Sequence, residues 1–260
     1  MLVAECRGKI RPEVQDDEDY LTSAIFGHLR YLPPSLFWPD LLLRTKGADS
    51  EETSLVSVLT AKAVSIRGYS RLDVEFWHAC LPFGEPDMVL RFSGSGLEPL
   101  IILVEVKLWS SKGSTEEHDQ LENYLLLLDK LAGAGPSALV YLTPRESIEE
   151  IEDTLKRMHD DGTYRRRIFR LKWQDILTVA REVSPSVSDV NAMRILADVA
   201  EFLHRRGLEY FEGFEPVGIG GAAEIGDGRF YVQEPLTTFR GMTQGVALDW
   251  LTVEQGDWTK

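Results

Sequence analysis

The sequence predicts an α/β protein in which one central mixed β-sheet carries helices on both faces. The predicted elements run as a helix, an antiparallel meander of strands, and then helices alternating with strands. Residues 100–104 are apolar throughout, which is typical of a central strand covered on both faces. Residues 71–80 alternate between apolar and polar side chains, which indicates another strand.

The N-terminal part predicts two helices. The first begins near residue 16 or 17 and reaches about residue 31, because acids at its start favour a helix N-terminus and Pro33 follows its end. Its apolar stripe is Leu21, Ile25, Leu29 and Leu32. A second short helix is predicted over 35–44 and a polar loop over 45–53, whereas 54–60 fits a strand or a short helix equally well.

The remaining elements alternate along the chain. Strands are predicted at 71–80, 88–92, 100–107, 138–142 and 167–171. Helices are predicted at 115–132, from Pro144 onward, at 173–183 and at 188–206. Ser114 with Glu117 has the form of a capping box, and Thr143 before Pro144 has the form of an N-cap. Residues 211–260 predict an irregular, glycine-rich appendage.

Composition indicates an ordinary globular protein. Of the 260 residues, 43% are apolar and 27% charged, and no apolar run approaches the roughly 18 to 20 residues that cross a bilayer. No membrane association and no signal peptide are therefore expected. The two cysteines, Cys6 and Cys80, have no framework spacing, which favours a reduced, cytoplasmic setting.

The charge distribution bears on nucleic-acid binding. The net charge of −14 disfavours a general binder of polyanions, since basic contacts to phosphate dominate such affinity. Residues 165–172 oppose this total, because they include five basic side chains and no acid. These five are expected to contact phosphate: Arg165, Arg166, Arg167, Arg170 and Lys172. The alternative is a solvated strand edge whose charges discourage aggregation.

The strongest functional signal is a set of charged residues on two neighbouring predicted strands. Asp87 precedes one strand, and Glu105 and Lys107 lie at the end of the next. Because side chains alternate along a strand, 105 and 107 face the same side. Two carboxylates and an ammonium suit a hard divalent cation and a polarised water, which is the chemistry of phosphodiester cleavage. The structural alternatives are a turn aspartate and an ion pair between strand neighbours.

Other catalytic patterns are missing from the sequence. The five histidines lack zinc-ligand spacing, and neither a phosphate-binding Walker loop nor a nucleophile-elbow motif occurs.

The segment Pro86-Asp87 with Glu105-Val106-Lys107 resembles the signature of the PD-(D/E)xK nuclease superfamily. Gln120 and Tyr124, four residues apart on a predicted helix, are similar to the Gln-x-x-x-Tyr motif of one branch. Glu18 is similar to an acidic position that some branches use as an additional metal ligand. The alternatives are a glutamate placed for the helix dipole and replacement as ligand by Asp17 or Asp19.

This resemblance implies a fold, a site and an activity. The implied fold is a restriction-endonuclease-like core at about 17–180, within a domain spanning 1–210. The implied ligands of Mg²⁺ or Mn²⁺ are Glu18, Asp87, Glu105 and the carbonyl of Val106. Catalysis would involve Asp87, Glu105, Lys107, Gln120 and Tyr124, with Glu75 as an open addition to the pocket.

Two functions follow as expectations. The first is a metal-dependent endonuclease acting on DNA in defence, repair or recombination, working as a homodimer or with a partner protein because a double-strand cut needs two active sites. The second is a non-catalytic subunit that uses the nuclease fold for binding or assembly in a multiprotein defence system, which the acidic surface favours.

Overall fold

The computed structural model describes residues 18–108 and 119–210, and a six-stranded mixed sheet organises them. The strands are β1 (Lys46–Gly47), β2 (Arg71–Phe76), β3 (Met88–Ser93), β4 (Leu100–Val106), β5 (Ser137–Thr143) and β6 (Ile168–Lys172). Their order across the sheet is β1-β6-β5-β4-β3-β2. Strands β2, β3 and β4 form an antiparallel meander, β4, β5 and β6 run parallel, and β1 is antiparallel to β6.

Seven α-helices of the described residues flank this sheet. They are α1 (Glu18–Leu29), α2 (Trp38–Leu43), α3 (Leu55–Ala61), α4 (Gln120–Ala132), α5 (Ile148–Arg157), α6 (Trp173–Val183) and α7 (Val190–Arg205). Helices α4 and α5 pack on one face and the other five contribute to a larger core on the opposite face. The α/β class and the mixed sheet with helices on both faces are therefore confirmed. Among the described helices, none is long and apolar enough to cross a bilayer.

Strand β4 lies at the centre of the sheet, as its apolar sequence predicts. All seven of its residues are buried. Leu103 faces the core beneath α4 and α5, whereas Ile102 and Val104 face the larger core. Because strand side chains alternate, Glu105 emerges on the same face as Leu103, beside α4.

Several predictions about local structure need correction or completion. The ambiguous segment at 54–60 is helical: a helix spans Leu55–Ala61, and Ser54 and Ser57 cap it reciprocally through bonds of 3.0 and 3.1 Å. The strand predicted over 71–80 ends at Phe76, because Trp77 takes a left-handed backbone with φ of 48°. Residues 46–47, expected in a loop, pair with β6 and extend the sheet.

Thr143 does not cap a helix. It pairs with Lys172 as the last residue of β5, and its hydroxyl donates to the carbonyl of Arg145 at 2.7 Å. Pairing with the neighbouring strand holds this residue in the sheet, so the turn that contains Pro144 comes first and α5 begins only at Ile148.

The start of helix α4 is fixed by Asp119. Its Oδ1 accepts from the backbone nitrogens of Leu121 and Glu122 at 3.0 and 3.3 Å, so the described helix begins at Gln120. The predicted capping pair Ser114 and Glu117 lies outside the described residues, as does the predicted appendage at 211–260.

Replacing Asp119 with alanine should lower the free energy of unfolding by about 2 to 3 kcal/mol. The side chain is 1% exposed, and both of its oxygens also accept from the hydroxyl of Thr154 on α5 at 3.0 Å. Asp119→Asn keeps an acceptor for the helix and serves as the control. Urea unfolding should rank wild type, then asparagine, then alanine, and equal stability of alanine and wild type would contradict this role.

Candidate active site

The antiparallel pairing of β3 and β4 brings the two parts of the predicted signature together. Met88 pairs with Val104, so the start of β3 lies beside the end of β4. The Oδ2 of Asp87 accepts a hydrogen bond from the backbone nitrogen of Val106 at 2.7 Å. Asp87 is thereby fixed next to the residues on either side of Val106, as the sequence predicts.

Glu105 and Lys107 face the same side of the strand. The Nζ of Lys107 lies 2.6 Å from Oε1 of Glu105, so the two side chains form a close ion pair. Glu105 is 1% exposed, and Lys107 rather than water is its countercharge. Burial, and then the charge of Asp87, raises the pKa of Glu105 to about 8, although Lys107 opposes that shift. The site thus holds a buried carboxyl group whose ionised form depends on the ammonium of Lys107.

Charge in the pocket also affects Asp87 and Lys107. Burial raises the pKa of Asp87, although its bond to the nitrogen of Val106 opposes that shift. Burial disfavours the ammonium of Lys107, but the charge of Glu105 and its hydrogen bond, together with the charges of Glu18 and Asp87, outweigh burial and raise the pKa of Lys107. The lysine therefore remains a cation within a group of carboxylates.

Glu18, the first residue of α1, reaches the same pocket. Its Oε2 accepts from the backbone nitrogen of Leu108 at 2.7 Å, and its Oε1 lies 3.4 Å from Nζ of Lys107. The first described helix thus contributes a third carboxylate to the pocket.

Gln120 and Tyr124 support the loop that carries Asp87. The hydroxyl of Tyr124 donates to the carbonyl of Glu85 at 2.8 Å, and Nε2 of Gln120 donates to that hydroxyl at 3.2 Å. Burial, followed by the charge of Glu105, raises the pKa of Tyr124, so this phenol stays protonated. These contacts position the loop two residues before Asp87.

The structure also brings in residues that sequence reasoning missed. The indole nitrogen of Trp173 donates to the carbonyl of Lys107 at 3.0 Å and holds the backbone of the lysine. Tyr141 pairs with Glu105 across β4 and β5, and its hydroxyl donates to Glu150 at 2.6 Å. A polar hydroxyl at Tyr141, within an otherwise aliphatic strand, is a sequence feature that could have indicated this residue. Nothing in the sequence distinguishes Trp173 from an ordinary core tryptophan.

Glu75, the open addition to the predicted pocket, makes an ion pair with Arg91 at 3.1 Å, and its Oε2 lies 3.5 Å from Nδ1 of His78.

The five basic residues of 165–172 do not form one free basic surface in the described structure. Four of them are paired with acids: Arg165 with Glu152, Arg167 with Asp129, Arg170 with Glu51 and Glu146, and Lys172 with Glu146. Arg166 is exposed. Only Arg170 and Lys172 lie at the C-terminal ends of the parallel strands, where Glu105 also lies.

Comparison of the chain with protein-family models, with curated proteins and with solved structures finds no match.

The site suits a hard divalent cation in its chemistry, although not in its present arrangement. Within 18–108 and 119–210, no three His, Cys, Asp or Glu side chains are grouped to hold a metal ion as they stand. The ammonium of Lys107 instead contacts two of the carboxylates. The carboxylates of Asp87, Glu105 and Glu18 nevertheless supply oxygen ligands, which Mg²⁺ and Mn²⁺ prefer.

Proposed function

We propose that this protein is a metal-dependent nuclease that hydrolyses phosphodiester bonds, acting as a DNA endonuclease. The observation that carries the proposal is the convergence of Asp87, Glu105 and Lys107 from two adjacent strands, with the carboxylate of Glu105 buried beside the ammonium of Lys107. The resemblance of Pro86-Asp87 and Glu105-Val106-Lys107 to the PD-(D/E)xK pattern supports the proposal. The order of the meander, α4 and β5 also supports it, because a restriction-endonuclease-like core would have this order.

Asp87, Glu105, Glu18 and the carbonyl of Val106 would hold Mg²⁺ or Mn²⁺. When bound, the ion would polarise the scissile phosphate and lower the pKa of a water molecule. Lys107 supplies a positive charge whose position the ion pair with Glu105 and the Trp173 bond to its carbonyl both restrict. That charge offsets the negative charge that develops on the oxygens of the scissile phosphate during attack. A prepositioned donor stabilises a transition state most strongly when the site is buried.

Gln120 and Tyr124 act as positioning residues in this proposal. Gln120 donates to the hydroxyl of Tyr124, which donates to the carbonyl of Glu85, so together they hold the loop that leads to Asp87. Action in defence, repair or recombination, and a homodimer or partner protein that would supply a second active site, are part of the same proposal.

Asp87→Asn tests the function directly. Asparagine keeps an acceptor for the nitrogen of Val106 but removes the charge, so the fold should survive while Mn²⁺-dependent nicking of supercoiled plasmid falls at least a hundredfold. Asp73→Asn, at an exposed ion pair with Arg71 on β2, is the matched control and should cleave like wild type. Equal cleavage by Asp87→Asn and wild type would refute the proposal.

One observation favours a second candidate, a non-catalytic binding or assembly subunit. Lys107 already provides a countercharge to Glu105 and Glu18, so the pocket is electrostatically balanced by its own side chains. Calorimetric titration with Mn²⁺ separates the two functions. A nuclease should bind Mn²⁺ in a manner that Asp87→Asn weakens, whereas an assembly subunit should show no such carboxylate-dependent binding.

A further inference from the structure

A shallow cleft lies at the C-terminal ends of β5 and β6, two strands away from Glu105. Four cationic side chains line it: Arg44, Lys46, Arg170 and Lys172. Glu146 and Asp175 lie among them, with Tyr210 at the side. The function proposed above uses none of these residues.

Arg170 forms the fixed floor of the cleft. Its side chain is 6% exposed and lies on β6, held in place by pairing with Tyr141 and Lys46 on the strands to either side. The guanidinium contacts Glu51 and Glu146, while its Nε is buried with no hydrogen-bond partner among the described residues. A guanidinium that already draws two carboxylates to one place favours an oxyanion there.

The acids that pair with these cations are exposed, which leaves them room to move aside. The side chains of Glu51, Glu146 and Glu182 are 59%, 47% and 54% exposed. The exposed pairs Arg44–Glu182 and Lys46–Glu51 are each worth about 0 to 1 kcal/mol. Arg170 is buried, so its countercharge has to be replaced rather than lost, and a phosphate can replace it. Asp175 differs, because its two oxygens accept from the nitrogen of Lys172 and from the hydroxyl of Tyr210, so it belongs to the framework.

Electrostatics inside the cleft shows that it stabilises negative charge. Hydrogen bonds from Lys46 and then Arg170 lower the pKa of Glu51 to about 2. For Glu146 burial acts in the opposite direction, but the hydrogen bond and charge of Arg170, with the nitrogen of Ser147 and the charge of Lys172, together outweigh burial and lower the pKa of Glu146. A phosphate placed there would meet the same donors with a full negative charge.

The position of the cleft relates it to the carboxylate pocket. Glu105 pairs with Tyr141, and Tyr141 pairs with Arg170, so the three residues form one row across β4, β5 and β6 on the same face. At about 4.8 Å between strands, the backbones of Glu105 and Arg170 lie about 10 Å apart. A nucleic-acid strand, whose phosphates recur every few ångströms, can occupy both places at once.

We propose that this cleft binds a backbone phosphate of the nucleic-acid strand, away from the phosphate that is cleaved. This subsite rests on the proposed nuclease function, since the strand that it would hold is the substrate of the neighbouring pocket. Arg170 and Lys172 would donate from β6, and Lys46 and Arg44 from the opposite wall, with the exposed glutamates moving aside. The cleft would thus set the path of the strand across the sheet.

Lys46→Gln and Lys172→Gln, singly and together, test the subsite without altering the buried arginine. The side chains are 49% and 30% exposed, so both variants should fold. The probe is a short fluorescein-labelled single-stranded DNA in EDTA, which prevents cleavage. We expect the double variant to bind about tenfold more weakly. The slope of log affinity against log salt should shrink by about 0.7 for each phosphate that the protein no longer neutralises. Lys156→Gln, 72% exposed on α5, removes the same charge elsewhere and should bind like wild type.

Each result decides the question. Unchanged affinity and salt slope in the double variant, or no DNA binding by wild type at low salt, would overturn the subsite. Inorganic phosphate is the second probe; if it binds in a Lys46-dependent manner while DNA does not, the cleft serves a small anion and its assignment to the strand is wrong. Cleavage by wild type is scored separately, so cleft-dependent binding without cleavage would refute only the nuclease function.

Discussion

Lys107→Met is expected to reduce Mn²⁺-dependent cleavage by about a hundred- to a thousandfold. Methionine retains much of the apolar stem but removes the ammonium that lies 2.6 Å from Glu105 and 3.4 Å from Glu18. The lysine side chain is only 11% exposed, so water cannot readily compensate for the loss of its positive charge. The rate of nicking of supercoiled plasmid, measured at saturating Mn²⁺, reports the loss.

A control distinguishes this effect from general loss of a surface charge. Lys156→Met makes the same chemical change at an exposed position on α5 and should leave the rate unchanged. Circular dichroism should show that the Lys107 variant is folded. Cleavage within a few-fold of wild type would mean that Lys107 only neutralises Glu105 and Glu18, as in the assembly-subunit alternative.

Glu105→Gln should make the protein more stable at high pH while abolishing its activity. The pKa of Glu105 is about 8 in the folded protein, above the ordinary value of 4.5 expected when the chain unfolds. The folded state therefore holds a proton that the unfolded state has lost between these two values. The contribution of this group to stability is complete below about pH 4.5 and disappears as the pH rises to about 8.

The comparison of wild type with Glu105→Gln reports on this group and on the two side chains that titrate with it, Lys107 and Asp87, because the remaining titrating residues are common to both proteins. Near pH 5 the carboxyl group is protonated and resembles the amide, so the two proteins should have similar free energies of unfolding. Near pH 8 to 9 the glutamine variant should be more stable by an amount on the order of 4 kcal/mol. Urea unfolding across this range gives the measurement, and parallel pH profiles would show that burial does not perturb Glu105.

Local sequence patterns predict most of the secondary structure, because each pattern depends on residues that are close together in the chain. The apolar run of β4 and the alternation in β2 give strands at the expected places. Strand pairing between segments that are far apart in the sequence is harder to predict. Strand β1 is two residues long and exists only because it pairs with β6, more than a hundred residues away.

For the site as well, some features follow from local sequence and others depend on tertiary packing. Glu105 and Lys107 share a face because of strand geometry alone, and the β3–β4 hairpin makes Asp87 their neighbour. The basic segment shows the limit of that reasoning. Its arginines look unpaired in sequence, yet Arg170 meets Glu51 from a loop 119 residues earlier in the chain. Acidic partners brought in by tertiary packing cannot be read from residues 165–172.

The bond between Asp87 and the nitrogen of Val106 makes the site sensitive to how the hairpin is connected. It joins a side chain before β3 to the backbone of β4, and it forms only when Met88 pairs with Val104. The turn after Ser93 sets that alignment from the far end of both strands. If one residue were inserted into the paired part of β4, between the turn and Glu105, then Glu105 and Lys107 would face the opposite core. Asp87 would keep its place and no longer lie beside them. Natural variants of this chain should therefore tolerate changes in the composition of that turn far better than changes in the number of paired residues.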